Sequence, residues 1–230
     1  IPEKARVIGH LGRLAPEKNL AFLGRAVLAY MKQDPEAWFL VVGDGPEKKQ
    51  LEKMYAENGL ADRLLLAGKQ TGTALVDAYH AMDLFAFSSQ SETQGMVVTE
   101  AMTGGNPVVA LDASGVREVV RDGENGRLLP ADASAEMFAR AIAGSFKDPD
   151  QLRQWRENAR QTARDFDRVN CARRLSELYE RIGQMPAARK KKIDDAQFSY
   201  WDDLLKTVRI EWDMLYSKIN AVVETLDILK

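Results

Sequence analysis

Six short apolar runs punctuate the first 130 residues, at 6–11, 38–42, 64–67, 84–87, 107–111 and 126–129. They are largely continuous rather than alternating, and runs of that length read as strands covered on both faces. Stretches with three-to-four apolar spacing lie between and after them. These predict helices over 18–32, 46–58, 73–82 and 94–103, then over 134–146 and 150–182. Such alternation predicts an α/β fold built on a parallel sheet with helices on both faces.

Beyond residue 184 the pattern changes. A charged stretch over 185–197 carries the basic run Arg189-Lys-Lys-Lys192. Apolar residues then recur at three-to-four spacing from Phe198, Trp201 and Leu205 to Val222, Leu226 and Leu229. More than four uninterrupted heptads predict a long helical tail over 198–230 with one apolar seam. The expected organisation is therefore a Rossmann-like domain over 1–184, a linker over 185–197 and the tail. Three readings of the tail stay open: packing on a folded domain, self-association as a coiled coil or bundle, and peripheral membrane contact.

Composition narrows the classes. The chain is 45% hydrophobic and 29% charged, with a net charge of −2, so nothing marks nucleic acid as a bulk partner. The single cysteine, Cys171, excludes an internal disulfide framework and suits a reducing compartment. No apolar run approaches the roughly 18 residues of a membrane span. The expected location is cytoplasmic, with contact to the inner membrane face left open. The start at Ile1, running almost directly into a strand, reads as a fragment or processed piece.

The chemistry concentrates after the strand at 84–87, in Ser89-Gln-Ser-Glu92-Thr-Gln-Gly95-Met-Val-Val-Thr-Glu100. A polar turn there opens a helix, whose first backbone N–H groups and positive dipole end attract phosphate. A carboxylate beside that phosphate would repel it, so Glu92 is expected to face hydroxyls instead. Glu100, deeper along the helix, can accept two hydrogen bonds from a vicinal diol such as a ribose. Arg13 follows the first strand, and Lys18 is expected in the first turn of the next helix, where the dipole disfavours a cation. A basic residue there suggests an anion between it and the helix; taken alone, Lys18 reads as a solvated lysine paired with Glu17. Gly43-Asp-Gly45 reads as structural, lacking a spaced third glycine. His10, within the first strand, and His80, on a helix, also read as structural.

These segments together resemble a known family. Gly12-Arg13-Leu14…Lys18-Asn19-Leu20, Val42-Gly-Asp-Gly-Pro-Glu47, the spaced glutamates, Glu100-Ala-Met…Gly105-Asn-Pro-Val-Val-Ala110 and Gly115-Val-Arg-Glu118…Asp122-Gly-Glu-Asn-Gly126 are similar to the C-terminal half of retaining GT-B glycosyltransferases. That group includes sucrose synthases, glycogen synthases and bacterial lipid and polysaccharide glycosyltransferases, and the likeness covers residues 6–182. It implies a donor-binding domain for a nucleotide-diphosphate sugar, with UDP-sugar the expected donor. It also implies metal-independent chemistry without a cofactor. Arg13 and Lys18 would hold the diphosphate and neutralise the leaving nucleotide. Gly95, Met96 and Val97 would present backbone N–H groups, with Gly12 lining the site. Glu92 would bind the transferred hexose, Glu100 the ribose, and the loop Gly68-Lys69-Gln70 the base. Thr93-Gln94-Gly95, where many relatives carry Gly-Phe-Gly, resembles enzymes that glucosylate diacylglycerol, so the expected acceptor is a lipid or a saccharide. Acceptor specificity and a catalytic histidine would lie in an N-terminal half outside this sequence. The rivals are a sugar phosphorylase or epimerase of the same fold, and a degenerate domain serving as an assembly module.

Overall fold

The computed structural model describes residues 1–91 and 95–184. Residues 1–171 form one compact unit, and a second begins at Ala172. The linker and heptad tail expected over 185–230, and Glu92, lie outside the described residues.

The first unit is built on strands β1 (Arg6–Leu11), β2 (Ala37–Val42), β3 (Leu64–Gly68), β4 (Leu84–Phe87), β5 (Val108–Leu111) and β6 (Gly126–Leu129). Helices α1 (Leu20–Met31), α2 (Lys48–Glu57), α3 (Gly72–His80), α4 (Met96–Thr103), α5 (Ala135–Ser145) and α6 (Pro149–Asp165) connect and follow them. Helix α7 (Arg168–Gly183) begins in this unit and runs into the second. All strand pairs are parallel, in the order β3-β2-β1-β4-β5-β6. The chain works outward from β1 in one direction and then returns to place β4 on its other side. That switch point between β1 and β4 leaves a crevice at the carboxyl ends of the strands.

Alternation within each strand splits the core into two layers. Ile8, Phe39, Val41, Leu84, Ala86, Val109 and Leu111 pack with Leu20, Leu23 and Val27 of α1, Leu51 and Tyr55 of α2, and Phe138 and Ile142 of α5. Val7, Leu40, Val42, Phe85, Phe87, Val108 and Ala110 face the other way, onto Tyr79 of α3, Val98 and Met102 of α4 and Ala159 of α6. Burying each large apolar side chain contributes about 1.5–3 kcal/mol. Apolar residues on both strand faces are what make the runs continuous in sequence.

Several predicted boundaries move. The helix expected from residue 18 starts at Leu20, because Pro16–Lys18 forms a short 3₁₀ turn and Asn19 follows with φ 56° before the helix begins. Lys18 thus precedes the cap rather than occupying the first helical turn. The helix expected from residue 46 begins at Lys48, with Glu47 as its cap. The single helix expected over 150–182 is two. Asp167 restarts the helix, its side chain accepting from the Asn170 amide at 2.7 Å, after Phe166 has left helical geometry.

Candidate functional site

Three loops meet at the carboxyl ends of β1, β2 and β3 and are stitched together by main-chain hydrogen bonds. The Gly12 amide donates to Val42 O at 3.0 Å, Gly43 to Gly68 O at 2.8 Å and Leu14 to Asp44 O at 2.9 Å. Gly43 has φ 137°, and a Cβ there would stand 1.9 Å from Gly12 O. Only glycine allows that approach, which agrees with the structural reading of Gly43-Asp-Gly45. The seam surrounds a cavity of about 410 Å³ lined by Leu11, Gly12, Arg13, Val42, Gly43, Asp44, Lys69, Gln70 and Leu75. Its size lies within the ~300–1,000 Å³ of small-molecule sites. Gly12, Arg13 and Lys69 are brought together here, and Gln70 is fixed by donating its side-chain amide to Ala67 O at 2.6 Å.

Arg13 is 70% exposed and donates to the Glu17 carboxylate. The turn carrying Glu17 and Lys18 is tied across the switch point to the end of β4. The buried Ser88 hydroxyl lies 3.1 Å from Lys18 O and from Asn19 O, and Ser89 Oγ lies 3.4 Å from Glu17 O. Two buried serines closing an apolar strand were the available signal for this tie. Sequence reasoning did not assign them a part in the site.

Past β4, Gly95 caps α4 in the left-handed region at φ 60°, and a Cβ there would approach Gly115 O to 3.2 Å. Met96 and Val97 therefore begin the helix as expected. Met96 is exposed and faces a separate cavity of about 360 Å³ with Thr99, Glu118 and Phe166. Glu100 lines neither of these spaces. It borders a third, of about 250 Å³, that shares Leu75 with the first. Its Oε2 accepts from the Tyr79 hydroxyl at 2.8 Å. Burial, and then the Glu100 carboxylate, push the Tyr79 pKa above its ordinary value, so the phenol stays protonated as a donor.

His10 is buried against Phe85 and Phe87, with ring centroids 6.2 and 6.1 Å away, and its Nδ1 lies 3.1 Å from Ala86 O. That is a core position, whereas His80 is exposed at the end of α3. Two aspartates cap helix starts. Asp148 accepts from the Asp150 and Gln151 amides, and Asp167 from Asn170. Among the described residues no group of three or more His, Cys, Asp or Glu could hold a metal ion, and no helix is long and apolar enough to cross a membrane.

Residues 1–162 match the family described as Glycosyl transferases group 1. The chain belongs to this family. As a group 1 glycosyltransferase domain it is 29% identical over 178 residues to an alpha-D-kanosaminyltransferase of Streptomyces kanamyceticus, covering 77% of this chain and 46% of that protein. A D-inositol 3-phosphate glycosyltransferase of Nocardia farcinica is 32% identical over 180 residues, 75% of this chain and 40% of the relative. The solved structure of Anabaena HepE in complex with UDP superposes with a TM-score of 0.68 at 29% identity, covering 77% of this chain and 49% of that one. The expected fold is shown: a six-stranded Rossmann-like sheet matching one half of GT-B transferases. The chain spans less than half the length of these curated relatives.

Proposed function

We propose that this chain is the donor-binding half of a retaining glycosyltransferase that uses a UDP-sugar and passes a hexose to a lipid or saccharide acceptor. The observation that carries the reading is the cavity at the carboxyl ends of β1, β2 and β3, where Arg13 and Lys69 meet glycine-bearing loops. Solved relatives sharing this fold hold UDP. Arg13 and Lys18 bind the donor diphosphate and stabilise the charge that develops on it as the glycosidic bond breaks. The N-terminus of α4, at Gly95, Met96 and Val97, adds backbone donors. Glu92 takes the sugar hydroxyls, Glu100 the ribose, and the Gly68–Gln70 loop the base. No metal or cofactor enters the scheme.

Calorimetric titration of UDP, with ADP and GDP as comparators, tests the proposal. Saturable binding that prefers UDP and falls about tenfold or more in Arg13→Ala supports it, since charge-assisted contacts are worth roughly 1.5–3 kcal/mol. Equal binding of all three nucleotides, or binding indifferent to Arg13, overturns it.

A further inference from the structure

Tyr79 is almost completely buried, yet its hydroxyl ends at a carboxylate on an exposed helix face. Twenty-one residues separate it from Glu100, and the 2.8 Å hydrogen bond joins α3 to α4 at the cavity bordered by Leu75, Val76 and His80. The tyrosine is clamped at each part. Its backbone carbonyl accepts from Asn106 Nδ2 at 2.8 Å, and Asn106 is itself buried. Its ring packs on Phe85 with centroids 6.4 Å apart. Gly104 leaves the space beside it: a Cβ there would stand 3.2 Å from Tyr79 Cβ. The clamped ring keeps its hydroxyl beside Glu100.

A glutamate on a helix surface ordinarily samples several rotamers, and fixing one has an entropic cost at the moment of binding. Here one oxygen is already held, and the carboxylate retains acceptor sites for two further donors. Leu75 lines both this cavity and the larger one beside Arg13, so a ligand in one lies next to the other. We propose that Tyr79 is a positioning residue that pre-orients the Glu100 carboxylate toward the ribose hydroxyls of a nucleoside diphosphate. The inference rests on the reading of Glu100 as the ribose acceptor.

The test titrates UDP and 2′-deoxy-UDP into the full chain, its Tyr79→Phe and Glu100→Ala variants and the double variant. Removing one oxygen leaves the ring packing intact, so Tyr79→Phe should keep the wild-type melting temperature. Expected is a wild-type preference for UDP that Glu100→Ala abolishes. Tyr79→Phe should reduce that preference about three- to tenfold, with a smaller loss for 2′-deoxy-UDP, which keeps its 3′ hydroxyl, as loss of a single hydrogen bond predicts. The double variant should bind like Glu100→Ala alone, because the two residues act as one unit. If Glu100→Ala removes the preference and Tyr79→Phe preserves it, Tyr79 is merely structural and the inference falls alone. A preference that survives Glu100→Ala overturns the ribose reading and the inference with it.

Discussion

Asp34 carries a carboxylate that three donors share. It accepts from Tyr30 Oη and Arg6 Nη1 at 2.6 Å each, and from the Glu36 amide at 3.0 Å. Burial works against its charge, but hydrogen bonds from Tyr30, Arg6 and Glu36 outweigh it and hold its pKa below the ordinary 3.8. A depressed carboxylate pKa gives stability that is present above the unfolded value and is lost as pH falls through the folded one. The Asp34 share of wild-type stability should therefore be level at neutral pH and be lost only as the pH falls below the ordinary carboxylate value, and Asp34→Asn should flatten that acid decline while lowering the thermal midpoint at pH 7. Parallel acid curves for the two proteins would remove Asp34 from the account. Glu17 belongs to the same scale. An exposed pair such as Arg13–Glu17 is weak, so an anion can displace the carboxylate. Glu17→Gln should tighten UDP binding about two- to threefold at low salt and less at high salt, measured by titration. Unchanged affinity would mean the carboxylate does not compete for Arg13.

At the scale of elements, the loops hold the site as firmly as the strands do. Gly43→Ala places a methyl group into Gly12 O and demands a left-handed backbone. It should lower stability by about 2–4 kcal/mol in denaturant titrations and weaken UDP binding, because the displaced loops line the cavity. Full stability in that variant would show that the two loops can separate freely. The strands were legible because Leu84 to Phe87 or Val108 to Leu111 are buried on both faces, and double burial leaves an unbroken apolar run. The 3₁₀ turn at Pro16–Lys18 was not, since a proline followed by charged residues also opens ordinary helices. The break at Phe166–Asp167 was hidden because the helical spacing of Ala159, Ala163 and Phe166 continues through Val169 and Ala172 on its far side. Of the candidate site, Gly12, Arg13 and Lys69 were readable as loop residues after strands. The Tyr79–Glu100 bond and the Ser88 tie to Lys18 and Asn19 were not, because they join positions 21 and about 70 residues apart.

At the scale of the whole molecule, strand order decides what this chain can do alone. The switch point places the β1 and β4 loops side by side at the carboxyl edge, so the groups proposed to bind the diphosphate come from one sheet. On the proposed function, binding of the donor nucleotide should need nothing beyond that edge. Transfer needs more. An acceptor hydroxyl has to be held at roughly 3–3.5 Å from the anomeric carbon, and that positioning supplies much of an enzyme's acceleration. Each of the two cavities that share Leu75 includes residues already assigned to the donor, and the chain spans 46% of the kanosaminyltransferase and 40% of the inositol phosphate glycosyltransferase. Residues 1–230 should therefore bind UDP saturably yet transfer no sugar from UDP-glucose to diacylglycerol or to a saccharide above the rate of the Arg13→Ala variant. Radiolabelled transfer assays beside the titration separate the two properties. Arg13-dependent turnover by this chain alone would place acceptor binding here too, and would make the α4 face around Met96, Thr99 and Glu118 the first surface to mutate.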